Sequence, residues 1–268
     1  MRQPPPKRRL LTTLAIFLAG VLTGALALAG TAGYLAFARP ATNPPAQACP
    51  AASPRLPIVV TAGASATQGA LGADWVGTLR TQHPAYEFVN AGVNGSTSAD
   101  LLARIPSITA CSPAAVTILI GANDVRNGVP PTTYRTNLEG IVTKLAPSGA
   151  RIALMSLPPL GEDLTGPMNR KLHEYNAVIR ETATRFTLTY LPVNENMTAY
   201  LSEHPATRSP YDFSFPLALT AATQHYILGR SWDEIADRAG RQLLVDHIHL
   251  TNRAGTIVTA LVSSWLST

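Results

Sequence analysis

Cysteine is scarce, with two in 268 residues. That is too few for a zinc ribbon or for a disulfide-stapled mini-protein. Charge is scarce too: 14% of residues are charged and 46% hydrophobic, the reverse of a disordered chain. No 20–50-residue repeat is visible, which argues against solenoids and propellers. Acidic residues are missing from the first 39 positions, which hold Arg2, Lys7, Arg8, Arg9 and Arg39. The formal net charge of +5 belongs to this tail, because the remainder carries 16 basic and 16 acidic residues. A globular part with no basic excess is a poor collector of phosphates, so nucleic acid is not expected as a partner.

What is present begins with Leu10–Ala38, 29 residues without a charge. At about 1.5 Å per residue, a helix of this length crosses a hydrocarbon core of about 30 Å with surplus. Lys7, Arg8 and Arg9 precede it, which predicts a cytoplasmic tail over 1–9 and an extracytoplasmic remainder. Ala36-Phe37-Ala38 also resembles a small-x-small cleavage site, so secretion after removal of a signal peptide is the rival. The run exceeds the usual length of a signal peptide's apolar region, which favours an uncleaved anchor over 10–38. Residues 39–56, rich in Pro and Ala, are expected to form a semi-stiff stalk.

From residue 57 the pattern alternates. Apolar, β-branched runs at 56–61, 86–91, 115–120, 151–157 and 187–193 read as buried strands. Helical patterns at 73–83, 98–105, 131–145, 167–186 and 251–266 separate or follow them, with Ser98 and Thr251 as expected caps. This alternation predicts an α/β domain over 57–268 with a parallel sheet. Residues 194–244 break the pattern and read as an insertion with a loop and two helices, near 215–228 and 232–244. Such a segment can form a wall over a site, and 211–217 (YDFSFPL) can line an acyl pocket. Cys49 precedes the first strand and Cys111 the third. Parallel strands start on one side of a sheet, so a Cys49–Cys111 disulfide is expected in an oxidising compartment.

Ligands of open parallel sheets sit beyond the carboxyl ends of the strands. The polar residues there are few: Gly63-Ala64-Ser65 after the first strand, Asn94-Gly95-Ser96 after the second and Asn123-Asp124 after the third. Asp246-His247-Ile248-His249 comes before the last helix. Serine needs a base to become a nucleophile, and imidazole is that base near neutral pH. A carboxylate fixes its tautomer, and amide donors stabilise the oxyanion. His247 is an alternative base. Asp246, His247 and His249 could also be read as metal ligands, but no other His/Asp cluster completes such a site. Asp124 is expected to brace its loop. The glycines at 63, 69 and 72 lack dinucleotide or P-loop spacing.

These four blocks, in order, resemble the SGNH hydrolases, also called GDSL-type esterases and lipases. The resemblance runs from about residue 57 to the C-terminus and is weak across the insertion. It implies a three-layer α/β/α sandwich on a five-stranded parallel sheet of flavodoxin-like order. It also implies Ser65 as nucleophile, His249 as base and Asp246 as its carboxylate, with Ser65, Gly95 and Asn123 forming the oxyanion hole. The family often has Gly-Asp-Ser in the first block, where this chain has Gly63-Ala64-Ser65, and glycine where this chain has His247. The expectation is a membrane-tethered hydrolase of lipid or acylated-glycan esters, needing no metal or organic cofactor. An envelope O-acyltransferase using the same site and a non-catalytic binding domain are the alternatives.

Overall fold

The computed structural model describes residues 6–49, 56–204 and 210–268. Arg2 of the expected basic tail and residues 50–56 of the expected stalk, Leu56 excepted, lie outside them.

Five strands form one parallel sheet: β1 (Ile58–Gly63), β2 (Glu87–Gly92), β3 (Ala115–Leu119), β4 (Arg151–Met155) and β5 (Thr189–Leu191). Their order is β2-β1-β3-β4-β5. In register, Val60 lies between Val89 and Val116. Every residue of β1 and β3 is buried, as expected of strands covered on both faces.

The helices are α1 (Pro6–Gly33), α2 (Pro45–Ala48), α3 (Ser65–Gln68), α4 (Trp75–Gln82), α5 (Ser98–Thr109) and α6 (Ala122–Asn127). After them come α7 (Pro131–Leu145), α8 (Pro167–Arg185), α9 (Val193–Glu203), α10 (Phe215–Tyr226), α11 (Trp232–Arg238) and α12 (Asn252–Leu266). Helices α5, α7 and α8 pack in sequence as one layer, and α4, α12 and α9 as another. This is the expected three-layer sandwich. Most helices bury one apolar stripe. In α8 it includes Leu172, Tyr175, Val178, Ile179 and Ala183, the i, i+3, i+4 spacing that seats a helix on a sheet.

Four expectations need correction. Helix α5 is capped by Thr97, not Ser98. The Thr97 hydroxyl accepts from Asp100 N–H and the Asp100 carboxylate accepts from Thr97 N–H, a reciprocal box that frees Ser98 for another task. The presumed insertion starts later than 194. Helix α9 buries Val193, Met197 and Leu201 in the main core, so it belongs to the sandwich. The helix near 232–244 stops at Arg238, and Gly240 follows in a left-handed conformation (φ 70°). Finally, residues 39–49 are no free stalk. Asn43 donates to Glu87 Oε1 (2.5 Å) and to Phe88 O (3.0 Å), and its carbonyl accepts from Asn90 N–H (3.0 Å). The segment thus covers β2, an edge strand whose open hydrogen-bonding groups need cover.

A disulfide joins Cys49 to Cys111, with Cα atoms 4.6 Å apart. It closes a loop of 62 residues, for which the chain-entropy relation gives about 4 kcal/mol. Replacing both cysteines by serine is expected to lower the unfolding free energy by about that amount in a denaturant titration. Unchanged stability would mean the bridge does not form.

Helix α1 continues into a π-helical turn, Tyr34–Ala38. Its large apolar side chains between Leu10 and Leu28 are exposed, whereas Ala32 and Ala36 are fully buried. They join Ala218, Ala221 and Ala222 of α10 and Trp232 and Ile235 of α11 in a second, smaller core.

Candidate active site

The carboxyl end of β1 presents Ser65. Strand β1 ends at Gly63, where a Cβ would lie 2.1 Å from Thr67 Oγ1 and 2.5 Å from Leu119 O, so only glycine lets the chain turn this tightly. Ser65 then opens the single turn of α3, half-buried at the sheet rim. Its N–H occupies the first helical position, where no intrahelical partner exists.

Asp246 and His249 come from the irregular segment before α12. Asp246 is fully buried. Its Oδ1 accepts the N–H groups of His249 (2.9 Å) and Ile248 (3.3 Å), closing a tight local turn. That turn brings the imidazole back so that His249 Nδ1 meets Asp246 Oδ2 at 2.7 Å. Its other nitrogen, Nε2, lies 3.0 Å from Ser65 Oγ. Three side chains from opposite ends of the domain therefore form one Ser-His-Asp relay. Burial pushes the Asp246 carboxyl up, but the His249 imidazole and the hydrogen bonds it receives outweigh that and hold it below the usual range.

The segment carrying this relay is held by residues that sequence reading missed. Glu162, buried, accepts from the N–H groups of Gln242 (2.8 Å), Leu243 (2.7 Å) and Leu244 (2.8 Å). Arg241, also buried, donates to Leu244 O (3.0 Å) and Val245 O (2.5 Å). Gly161 N–H donates to His247 O (2.8 Å). Glu162 carries no local signal, because its partners lie 80 to 82 residues away.

Gly95 and Asn123 follow the carboxyl ends of β2 and β3, the same edge of the parallel sheet from which β1 presents Ser65, and Asn123 lines a crevice with Ser65. Gly95 follows β2 in a left-handed conformation (φ 74°) that disfavours any side chain. Asn123 follows β3, in α6. Its Nδ2 donates to Ser96 O (2.9 Å) and its Oδ1 accepts from Arg126 Nη1 (3.0 Å). Arg126 thereby fixes which way the amide points. Asp124 braces the loop as expected, accepting from Ser98 N–H (2.9 Å) and Ser98 Oγ (2.5 Å). Burial raises its carboxyl above the usual range against those two bonds. A crevice of about 20 Å³ opens between Ser65, Asn123, Gly121, Leu157 and Pro158. Of the 211–217 segment, Phe213 lies 6.1 Å from the His249 ring, with the Arg126 guanidinium 4.3 Å above it. A larger cavity, about 700 Å³, lies between residues 37–49 and β2 and touches none of Ser65, Asp246 and His249.

His247 points elsewhere. Its ring packs edge-on against Tyr211 at 6.0 Å, so the imidazole beside Ser65 is that of His249. Burial and Arg241 hold the His247 imidazole below its ordinary value, and burial does the same to His225, stacked on Trp232 at 3.8 Å. Between the depressed folded values and the unfolded value of about 6.5, the unfolded chain binds more protons. Stability is therefore expected to fall as pH drops through that window. Thermal midpoints at pH 7.5 and pH 5 check this, and His225→Gln is expected to shrink the difference.

Residues 60–254 match the GDSL-like Lipase/Acylhydrolase family. The chain is similar to Esterase TesA of Pseudomonas aeruginosa, 39% identical over 101 residues, covering 34% of this chain and 50% of that protein. It is also similar to an Arylesterase of Vibrio mimicus, 34% identical over 74 residues, covering 26% of this chain and 37% of that protein. The chain thus spans half or less of the length of these curated relatives. Among solved structures, the acetyl xylan esterase AlAXEase superposes with a TM-score of 0.60 at 16% identity, over 77% of this chain and 98% of its own. Axe2, an acetylxylan esterase from Geobacillus stearothermophilus, superposes with a TM-score of 0.57 at 21% identity, over 78% and 93%. At these identities the likeness is one of fold.

Proposed function

The chain belongs to the GDSL-like lipase/acylhydrolase family, and on that premise we propose that it is a membrane-tethered serine hydrolase cleaving carboxylic esters outside the cytoplasm. The observation that carries this reading is the 3.0 Å contact between Ser65 Oγ and His249 Nε2, with Asp246 2.7 Å behind the ring. Ser65 attacks the ester carbonyl as His249 takes its proton. The tetrahedral intermediate collapses to an acyl-enzyme while His249 protonates the leaving alcohol. Water, deprotonated by the same imidazole, then releases the acid. The Ser65 and Gly95 amides and the Asn123 side chain receive the oxyanion; Asn123 gives one Nδ2 hydrogen to Ser96 and keeps the other. Ala64 in place of the family's usual aspartate leaves these contacts whole. Tethering is supported by the exposed apolar surface of α1 between Leu10 and Leu28, preceded by three basic residues.

The crevice beside Ser65 supports a short acyl group. At about 20 Å³ it has room for one water-sized group such as an acetyl methyl. The names of AlAXEase and Axe2 attach acetyl xylan to this fold, which fits an acetylated glycan as the ester class. A series of p-nitrophenyl esters tests this. From acetate to octanoate, kcat/KM is expected to fall by about tenfold or more, as misfit in the acyl pocket accumulates. Faster turnover of octanoate would replace the short-acyl reading with a lipase reading, and no turnover of any ester would remove the hydrolase reading itself.

A further inference from the structure

The exit of the N-terminal helix is tied to the loop that carries Gly95. A helix end leaves carbonyls without intrahelical partners. Here Asn94 Nδ2 donates to Ala36 O (3.2 Å) and Phe37 O (3.1 Å). Gln68 Nε2 donates to Arg39 O (2.7 Å), and Gln68 Oε1 accepts from Asn94 N–H (2.6 Å). Gln68 ends the turn that Ser65 begins, and Asn94 immediately precedes Gly95. Two side chains therefore link the helix exit to the segments of the nucleophile and of the oxyanion glycine together.

Packing fixes the same junction. Ala36 is fully buried in the small core with Ala218 and Ala222. Phe37 lies 5.0 Å from Phe215, and Arg39 Nη2 donates to Tyr226 Oη (3.2 Å). Length agrees with this role. A 29-residue helix extends about 44 Å, about 14 Å more than a hydrocarbon core needs, and that surplus is where Ala32 and Ala36 lie. A peptidase cutting after Ala38 would carry off the two carbonyls that Asn94 holds and strip one wall from the small core.

We propose that the N-terminal helix stays on the mature chain and that its last turn, acting through Asn94 and Gln68, positions the Gly95 amide for the oxyanion. Asn94 and Gln68 are positioning residues. The kinetic consequence rests on the ester-hydrolase reading above, whereas the coupling of helix to loop does not.

Two lesions on the full chain in detergent test it. Ala36→Leu adds bulk where no free surface exists, and Asn94→Asp keeps the shape but removes both donated hydrogens. In each, amide hydrogen exchange across residues 93–97 is expected to rise about tenfold while that of β3 stays unchanged, the pattern of a local loosening. With p-nitrophenyl acetate, kcat is expected to fall about tenfold with KM nearly constant, because a misplaced donor acts in the transition state. The double variant is expected to be no worse than the poorer single one, since both break one linkage. Unchanged loop exchange in both variants, or losses that multiply in the double variant, would overturn the coupling. If the wild type turns over no ester, the hydrolase reading fails and the exchange data alone decide the coupling. Retention has its own readout: the intact mass of chain extracted from membranes is expected to include residues 10–38, and a mature chain starting at Arg39 would refute it.

Discussion

Alanine in place of Ser65 is expected to lower kcat for p-nitrophenyl acetate by about 10⁵–10⁶-fold, the scale seen when the nucleophile of a Ser-His-Asp unit is removed. The loss is chemical rather than structural. Ser65 is half-buried at the start of one helical turn, its side chain makes its contact to His249, and alanine fits that backbone. Circular dichroism and the thermal midpoint should therefore match the wild type. Normal turnover by this variant would show that another group does the chemistry.

The second large effect concerns Asp246→Asn, which changes one atom. Asp246 Oδ1 accepts the N–H groups of Ile248 and His249, so an asparagine oxygen is held at that position. Its amide nitrogen then faces His249 Nδ1, where a carboxylate oxygen stood at 2.7 Å. A donor facing Nδ1 makes that nitrogen the acceptor and places the ring proton on Nε2, toward Ser65. In that tautomer the imidazole cannot take the serine proton. A loss of about 10⁴-fold in kcat is expected at neutral pH. Substrate affinity should change little, because Asp246 is buried behind the ring. Steady-state kinetics that showed a loss in KM alone would assign Asp246 a binding role instead.

Much of the arrangement was legible in the amino-acid order because it depends on local pattern. The run Ala115–Leu119 announces a doubly covered strand, and the polar residues after each strand fall at the sheet rim by the logic of parallel connections. The i, i+3 spacing of Asp246 and His249 anticipates their contact, although the buried turn that produces it is built from backbone bonds. What escaped depends on distant partners. Proline content predicts stiffness for residues 39–49, but Asn43 pairing with β2 makes the segment an edge cover. Helix α9 spaces Val193, Met197, Tyr200 and Leu201 at i, i+4, i+7 and i+8, a stripe of little more than two turns that is hard to separate from the following loop. The Thr97–Asp100 cap, by contrast, was visible as Thr-x-x-Asp and was hidden only by the adjacent Ser98 hydroxyl. Arg126 had no signal, since its use lies in orienting Asn123 and covering Phe213 across the site.

The most direct measurement is covalent capture. The full chain, in detergent, is incubated with a fluorophosphonate, digested, and the modified peptide sequenced by mass spectrometry. The adduct is expected on Ser65 and is expected to be lost in His249→Ala, because that hydroxyl reacts only with the imidazole 3.0 Å away. A chain that stays unmodified, or one modified at a different serine, would contradict a nucleophile at Ser65.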